Sequence, residues 1–124
     1  MEIIKGDLEG FLIIRPDLFE DERGYFFEAY NLEKFRQAGL DTGFVQDNES
    51  KSRKGVVRGM HLQAPPYEQG KLVRVIRGAV LDVAVDIRKK SPTYGKWMAV
   101  EISAVNKIIL WIPPGFAHGF SVLE

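Results

Sequence analysis

The sequence predicts an all-β barrel or sandwich. Three observations carry that prediction. The chain of 124 residues is one domain long. Its apolar residues alternate with period two, or form short runs between Gly, Pro, Asn and Asp. One segment alone has a helical pattern. Taken in order, the expected strands are "GFLIIRP" (10–16), "GYFFEAY" (24–30), "GVVRGMHLQ" (55–63), "KLVRVIRG" (71–78), "AVLDVAVDIR" (79–88), "GKWMAVEIS" (95–103), "KIILWIPPG" (107–115) and "HGFSVLE" (118–124). The helical segment is "NLEKFRQAGL". Asn31 is a natural N-cap, Gly39 a natural stop, and Leu32, Phe35 and Arg36 share a face. Many short strands with so little helix fit a closed or double-layered β architecture.

Composition narrows the function classes. Hydrophobic residues make up 45% and aromatics 11%, enough for a core. Seventeen basic side chains balance seventeen acidic ones, which speaks against nucleic acid and polybasic membrane partners. There is no cysteine, so disulfides, thiolate metal sites and a Cys nucleophile are all excluded. The segment "MEIIKGDLEG" lacks a basic region followed by an apolar one, and no apolar run reaches membrane-spanning length. The expectation is a cytoplasmic protein.

Two strands carry residues that a plain core would not choose. "VVRGMHLQ" places Arg58 and His61 among Val56, Val57, Met60 and Leu62, and Lys71 opens "KLVRV". Desolvating cationic or basic groups is costly unless a partner fills the space between them. A turn at Arg77–Gly78 would make 71–88 a hairpin. Lys71 would then face Ala84 and Val73 would face Asp82, leaving Lys71 and Asp82 diagonal neighbours about 7 Å apart. Strict alternation sends Arg58 and His61 to opposite faces. A bulge at Gly59 would bring both to one cavity, and alternation leaves that choice open. The second histidine, His118, follows the turn Pro113-Pro114-Gly115.

The glycine–histidine strand followed by P-x-G-x-x-H at 113–118 resembles the cupin superfamily. "DERGYFFEAY" (21–30), "QDNESKS" (46–52), "GVVRGMHLQ" (55–63), "QGKLVRVIRGAVLDVAVDIR" (69–88), "SPTYGKW" (91–97) and "WIPPGFAHGF" (111–120) resemble the dTDP-4-dehydrorhamnose 3,5-epimerase family, in its order along the chain. The resemblance implies a double-stranded β-helix, or jelly-roll, with one short helix near 31–39. It implies proton abstraction at C3 and C5 of a dTDP-linked 4-keto-6-deoxy sugar, without a cofactor. His61 resembles the general base. Lys71 resembles the group that stabilises the enolate oxygen at C4, with Asp82 supporting it. Arg58, His118, Gln46, Asp47 and Asn48 match substrate-binding positions. Arg23, Phe26 and Glu28 match a strand lent to the neighbouring subunit, which implies a homodimer with shared sites. The family extends beyond the position of Glu124, where it supplies a tyrosine acid and an aspartate that orients the base. Neither has a counterpart here, so 1–124 is expected to be a single cupin domain, incomplete at its C-terminus.

The chemistry stands independently of the resemblance. A C–H beside a ketone needs a base that works near neutral pH and a cation at the developing oxyanion. Arginine suits a diphosphate because its fork binds oxygen atoms in pairs. Metal-binding cupins use His-x-His, and here the triplet reads His61-Leu62-Gln63. With Glu68 and His118 the donor set is scattered, so no metal is expected. Two other functions compete. A keto-isomerase would want a paired-histidine pattern that the chain lacks. A non-catalytic sugar-nucleotide-binding or dimerising module would need neither His61 nor Lys71.

Overall fold

The structure is a computed structural model that describes residues 1–40, 43–62 and 69–124. Gln63, Tyr67 and Glu68 lie outside the described residues. Among the described residues ten strands and one helix follow in chain order: β1 (Glu2–Lys5), β2 (Leu12–Arg15), β3 (Leu18–Asp21), β4 (Gly24–Phe27), α1 (Leu32–Gln37), β5 (Val57–His61), β6 (Lys71–Val73), β7 (Ala79–Asp86), β8 (Trp97–Ser103), β9 (Ile109–Ile112) and β10 (Phe116–Val122). Two four-stranded sheets form the body, β1-β2-β9-β6 and β5-β10-β7-β8, with β3-β4 as a separate ribbon. Every recorded strand pair is antiparallel.

The two sheets meet through one apolar layer. Ala84 and Ile102 come from one sheet, Leu110 and Ile112 from the other, and Leu8, Phe11 and Phe116 fill between them. A second cluster of Ile14, Ile109 and Trp111 covers Phe35 and Leu40, which ties α1 to the outside of the first sheet. That helix forms as its sequence predicts. Asn31 sits in an extended conformation, and its side chain accepts the Lys34 amide at 3.0 Å. Phe35 is buried, while Leu32 stays exposed, so a single apolar anchor holds the helix.

The predicted hairpin over 71–88 does not form. β6 ends at Val73 and pairs with β9, so that Lys71 lies opposite Ile112. β7 lies in the other sheet, between β10 and β8. Residues 74–78 therefore carry the chain from one sheet to the other rather than folding it back. Both runs are apolar enough to be inner strands, and the core accepts them from opposite sides. Gly78 (φ +86°) is a point of close approach: a Cβ there would meet the Glu124 carbonyl oxygen at 2.5 Å.

Two strands were not anticipated, β1 and β3. β3 is exposed along its whole length, so it shows no apolar alternation to read. Of the two aromatics after Tyr25, Phe27 is half-buried beneath Arg74 and Lys107, whereas Phe26 is 70% exposed.

Candidate active site

The site sits at one end of the space between the sheets. β5 and β6 reach it from different sheets, and each ends or begins with a functional side chain. His61 closes β5, Lys71 opens β6, and both line a small, partly open cleft with Leu62, Gln69, Gly115 and Phe116. The hairpin that was expected to place Lys71 beside Asp82 is absent, but packing of the two sheets brings Lys71 to the same cleft as His61.

A bulge resolves the position of Arg58. On β10, His118 lies opposite His61 and Phe120 lies opposite Arg58. One residue separates the first pair from the second on β10, and two do so on β5. Gly59 and Met60 thus share the place opposite Gly119, as a bulge requires. Arg58 and His61 consequently fall on one face of the sheet. Arg58 is exposed, and its Nε donates to Ser52 Oγ at 2.8 Å, so the loop before β5 holds the guanidinium. Sequence reasoning did not find Ser52, whose only signal was its place in a polar loop.

Asp82 has a different partner from the one expected. It is 2% exposed, and its Oδ2 lies 2.7 Å from His118 Nε2, with His118 itself 8% exposed. The contact follows from register. His118 pairs with Ala84 across β10 and β7, and Asp82 is two residues along on the same face. Lys71 acts on Asp82 only through space, as the weakest of the recorded influences on it. Burial pushes the Asp82 carboxyl above its ordinary range, and the hydrogen bond and charge of His118 oppose that push. Its second oxygen, Oδ1, is buried without a hydrogen-bond partner. Sequence analysis named both residues but could not pair them, because strands β7 and β10 are thirty residues apart.

The remaining candidates are not among the residues that line the cleft. Gln46, Asp47 and Asn48 are exposed in the loop before β5. Arg23, at the β3–β4 turn, donates to Asp21, and Glu28 pairs with Lys34 at 3.1 Å. With Phe26 they form an exposed edge on the ribbon, not part of the His61 wall. Among the described residues, no group of three or more His, Asp or Glu is arranged to hold a metal ion, and no helix is long and apolar enough to cross a membrane.

The arrangement suits proton transfer. A histidine and a lysine line one cleft from different sheets, an arginine stands on the histidine's side, and a buried carboxylate–imidazole pair lies beside the histidine on the same face of its sheet. Comparison with known proteins identifies the family. The family model described as dTDP-4-dehydrorhamnose 3,5-epimerase matches residues 5–124. A dTDP-4-dehydrorhamnose 3,5-epimerase from Shigella flexneri is 59% identical, over 100% of this chain and 69% of its own length. The crystal structure of the Elizabethkingia anophelis enzyme superposes with a TM-score of 0.94 at 53% identity, covering 100% of this chain and 68% of that one. An epimerase from Legionella pneumophila, solved with dTDP-4-keto-L-rhamnose, gives 0.93 at 48% identity over 99% and 65% of the two chains. The chain thus spans about two-thirds of the length of these relatives, and its jelly-roll is theirs. It belongs to the dTDP-4-dehydrorhamnose 3,5-epimerase family.

Proposed function

We propose that the protein epimerises C3 and C5 of dTDP-4-keto-6-deoxy-D-glucose, giving dTDP-4-keto-L-rhamnose for dTDP-rhamnose and cell-surface polysaccharide synthesis. One observation carries the reading: His61 and Lys71 line one cleft from two different sheets. His61 removes the proton on a carbon beside the C4 ketone. The electron pair moves into the C3–C4 or C4–C5 bond, and charge gathers on the C4 oxygen, where the Lys71 ammonium stabilises it. Return of a proton to the opposite face completes the inversion. A cation in a partly dry cleft is worth more than one in water, which favours the enolate over the ketone. The electron pair stays within the substrate, and the proton removed is balanced by one, exchangeable with solvent, that is returned, so the reaction calls for no redox cofactor.

In this reading Arg58 holds the diphosphate, and His118, Gln46, Asp47 and Asn48 are further substrate-binding positions. Asp82 acts behind the site. Support for a role of the ribbon is its exposed Arg23, Phe26 and Glu28, which lie off the chain's own cleft. They complete the site of a second subunit in a cytoplasmic homodimer, with Phe26 presenting a free ring for the base.

The test is proton NMR of the substrate in deuterated water. The parent protein washes out the C3 and C5 signals, and His61→Ala slows that loss by about a hundredfold or more. A folded parent protein that binds the nucleotide but leaves both signals intact would refute the epimerase reading. It would leave a binding module.

A further inference from the structure

We propose that Gly119 is a positioning residue for the proton-transfer site: its missing side chain makes room for the β5 bulge that puts Arg58 and His61 on one face. The backbones of β5 and β10 come unusually close there. A Cβ on Gly119 would lie 2.7 Å from the Arg58 carbonyl oxygen, 2.9 Å from Met60 Sδ and 3.2 Å from Gly59 Cα. A Cβ on Gly59 would lie 2.6 Å from Gly119 Cα and 3.0 Å from the His118 carbonyl oxygen. The two glycines therefore face each other, each filling the space a side chain on the other would need.

Their reasons for being glycine differ. Gly59 has φ +119°, a conformation that L side chains rarely adopt, so a substitution there is strained whatever the space. Gly119 does not have a left-handed φ. On its other side it pairs in unbroken register with Val83 of β7. Nothing in its own strand calls for glycine. The contact with β5 does, and the closest atom there is a backbone oxygen, which cannot swing aside as a side chain can.

The consequence reaches the chemistry. The extra residue in β5 brings Arg58 into the same row of side chains as His61, opposite Phe120 and His118. That row includes Asp82 and Ala84 on β7. A methyl group on Gly119 displaces β5, an edge strand held on one side only, and leaves β10 on β7. His61 moves away from Lys71, which is fixed in the other sheet. Displacements of about 1 Å at a reacting group cost on the order of a hundredfold in rate.

The rate arm of the test rests on the proposed epimerase activity, and the structural arm does not. Gly119→Ala is compared with the parent and with Gly43→Ala, whose added Cβ would meet nothing within 4 Å. Cross-strand NOEs report each pairing, and loss of the C3 and C5 signals in deuterated water reports the chemistry per folded molecule. In Gly119→Ala the His118–Ala84 and Ser121–Leu81 contacts persist. The His61–His118 contact is lost, and exchange slows by about a hundredfold. Gly43→Ala matches the parent. If Gly119→Ala keeps both the His61–His118 contact and the parental rate, the proposal is wrong. If the parent shows no exchange, the epimerase reading fails and the NOEs alone decide about Gly119. A second pair of proteins guards against misfolding. Deleting Met60 leaves Arg58 and His61 two residues apart, on one face without a bulge. In that background Gly119→Ala is expected to preserve the His61–His118 contact. Loss of the contact there as well would overturn the proposal.

Discussion

Strand β7 carries two buried carboxylates on the same face, four residues apart, and their surroundings are opposite. Asp86 is fully buried and accepts five hydrogen bonds: from the Arg88 amide, Nε and Nη2, and from the Ser91 and Thr93 hydroxyls. Asp82 is almost as buried but accepts one, from His118, and its Oδ1 accepts none. Burial acts to raise the Asp86 carboxyl, yet the bonds from Arg88, Ser91 and Thr93 outweigh it and hold the group far below the usual carboxylate range. At Asp82 burial wins. The difference separates a structural carboxylate from one available to the site. Asp86 clamps the loop 88–93 to the barrel, and Arg88 continues the clamp to the Glu9 carbonyl and lies over Phe116, 4.7 Å from its ring centroid. Asp82 keeps an incompletely hydrogen-bonded carboxyl on the same face as His61, where it can orient the His118 imidazole.

Three substitutions sharpen this contrast. The largest effect is expected from Asp86→Ala, which strands the Arg88 guanidinium and two hydroxyls. Unfolding in urea should show a loss of about 3 kcal/mol or more, with the exchange rate per folded molecule near the parental value. The pH dependence has a definite sign. Asp86 is lowered from 3.8, so its stabilisation is fully present at neutral pH and is lost as pH falls below 3.8 toward its folded value. The gap between parent and Asp86→Ala should therefore close in acid. Equal stability of the two proteins at pH 7 would remove Asp86 from the clamp.

Asp82→Asn should do the reverse. The amide oxygen can still accept from His118, and the buried charge is gone. Exchange at C3 and C5 is expected to fall by about tenfold or more while stability at pH 7 does not decline. Because the Asp82 carboxyl is raised, its favourable contribution is present below 3.8 and is lost as pH rises through the folded value. Asp82→Asn should therefore gain on the parent between pH 4 and pH 7 in thermal unfolding. A variant that loses stability at pH 7 but keeps its rate would reassign Asp82 to structure.

The smallest effect is expected at Asp21, an exposed carboxylate that serves as a third case. It is paired with Arg23 at 2.7 Å and lowered by that bond, as Asp86 is lowered by its own, but it lies in water. Hydrogen bonds to an exposed charge replace equally good bonds to solvent. Asp21→Asn should leave the thermal midpoint unchanged. A clear drop would mean that the β3–β4 ribbon is held by this pair rather than by Phe27 beneath Arg74 and Lys107.

The sequence alone determined the features that are local. Period-two alternation and turn residues located eight strands, and the cap at Asn31 with the stop at Gly39 located α1, because both signals act within a few residues. The basic groups Arg58, His61 and Lys71 in apolar runs raised the question of a site, and the resemblance to the epimerase family, not their spacing, supplied the expected roles of His61, Lys71 and His118. Strand β3 was not legible, because an exposed ribbon has no buried face to leave a pattern. Pairing was decided by the tertiary structure. Whether Arg58 and His61 share a face depends on a bulge that only the approach of Gly119 from a distant strand permits. Whether Asp82 meets Lys71 or His118 depends on which sheet β7 joins. An apolar strand satisfies its burial equally well in either sheet. Its partner is chosen by the packing of the whole core, a sum over contacts far apart in the chain that no short window of sequence contains.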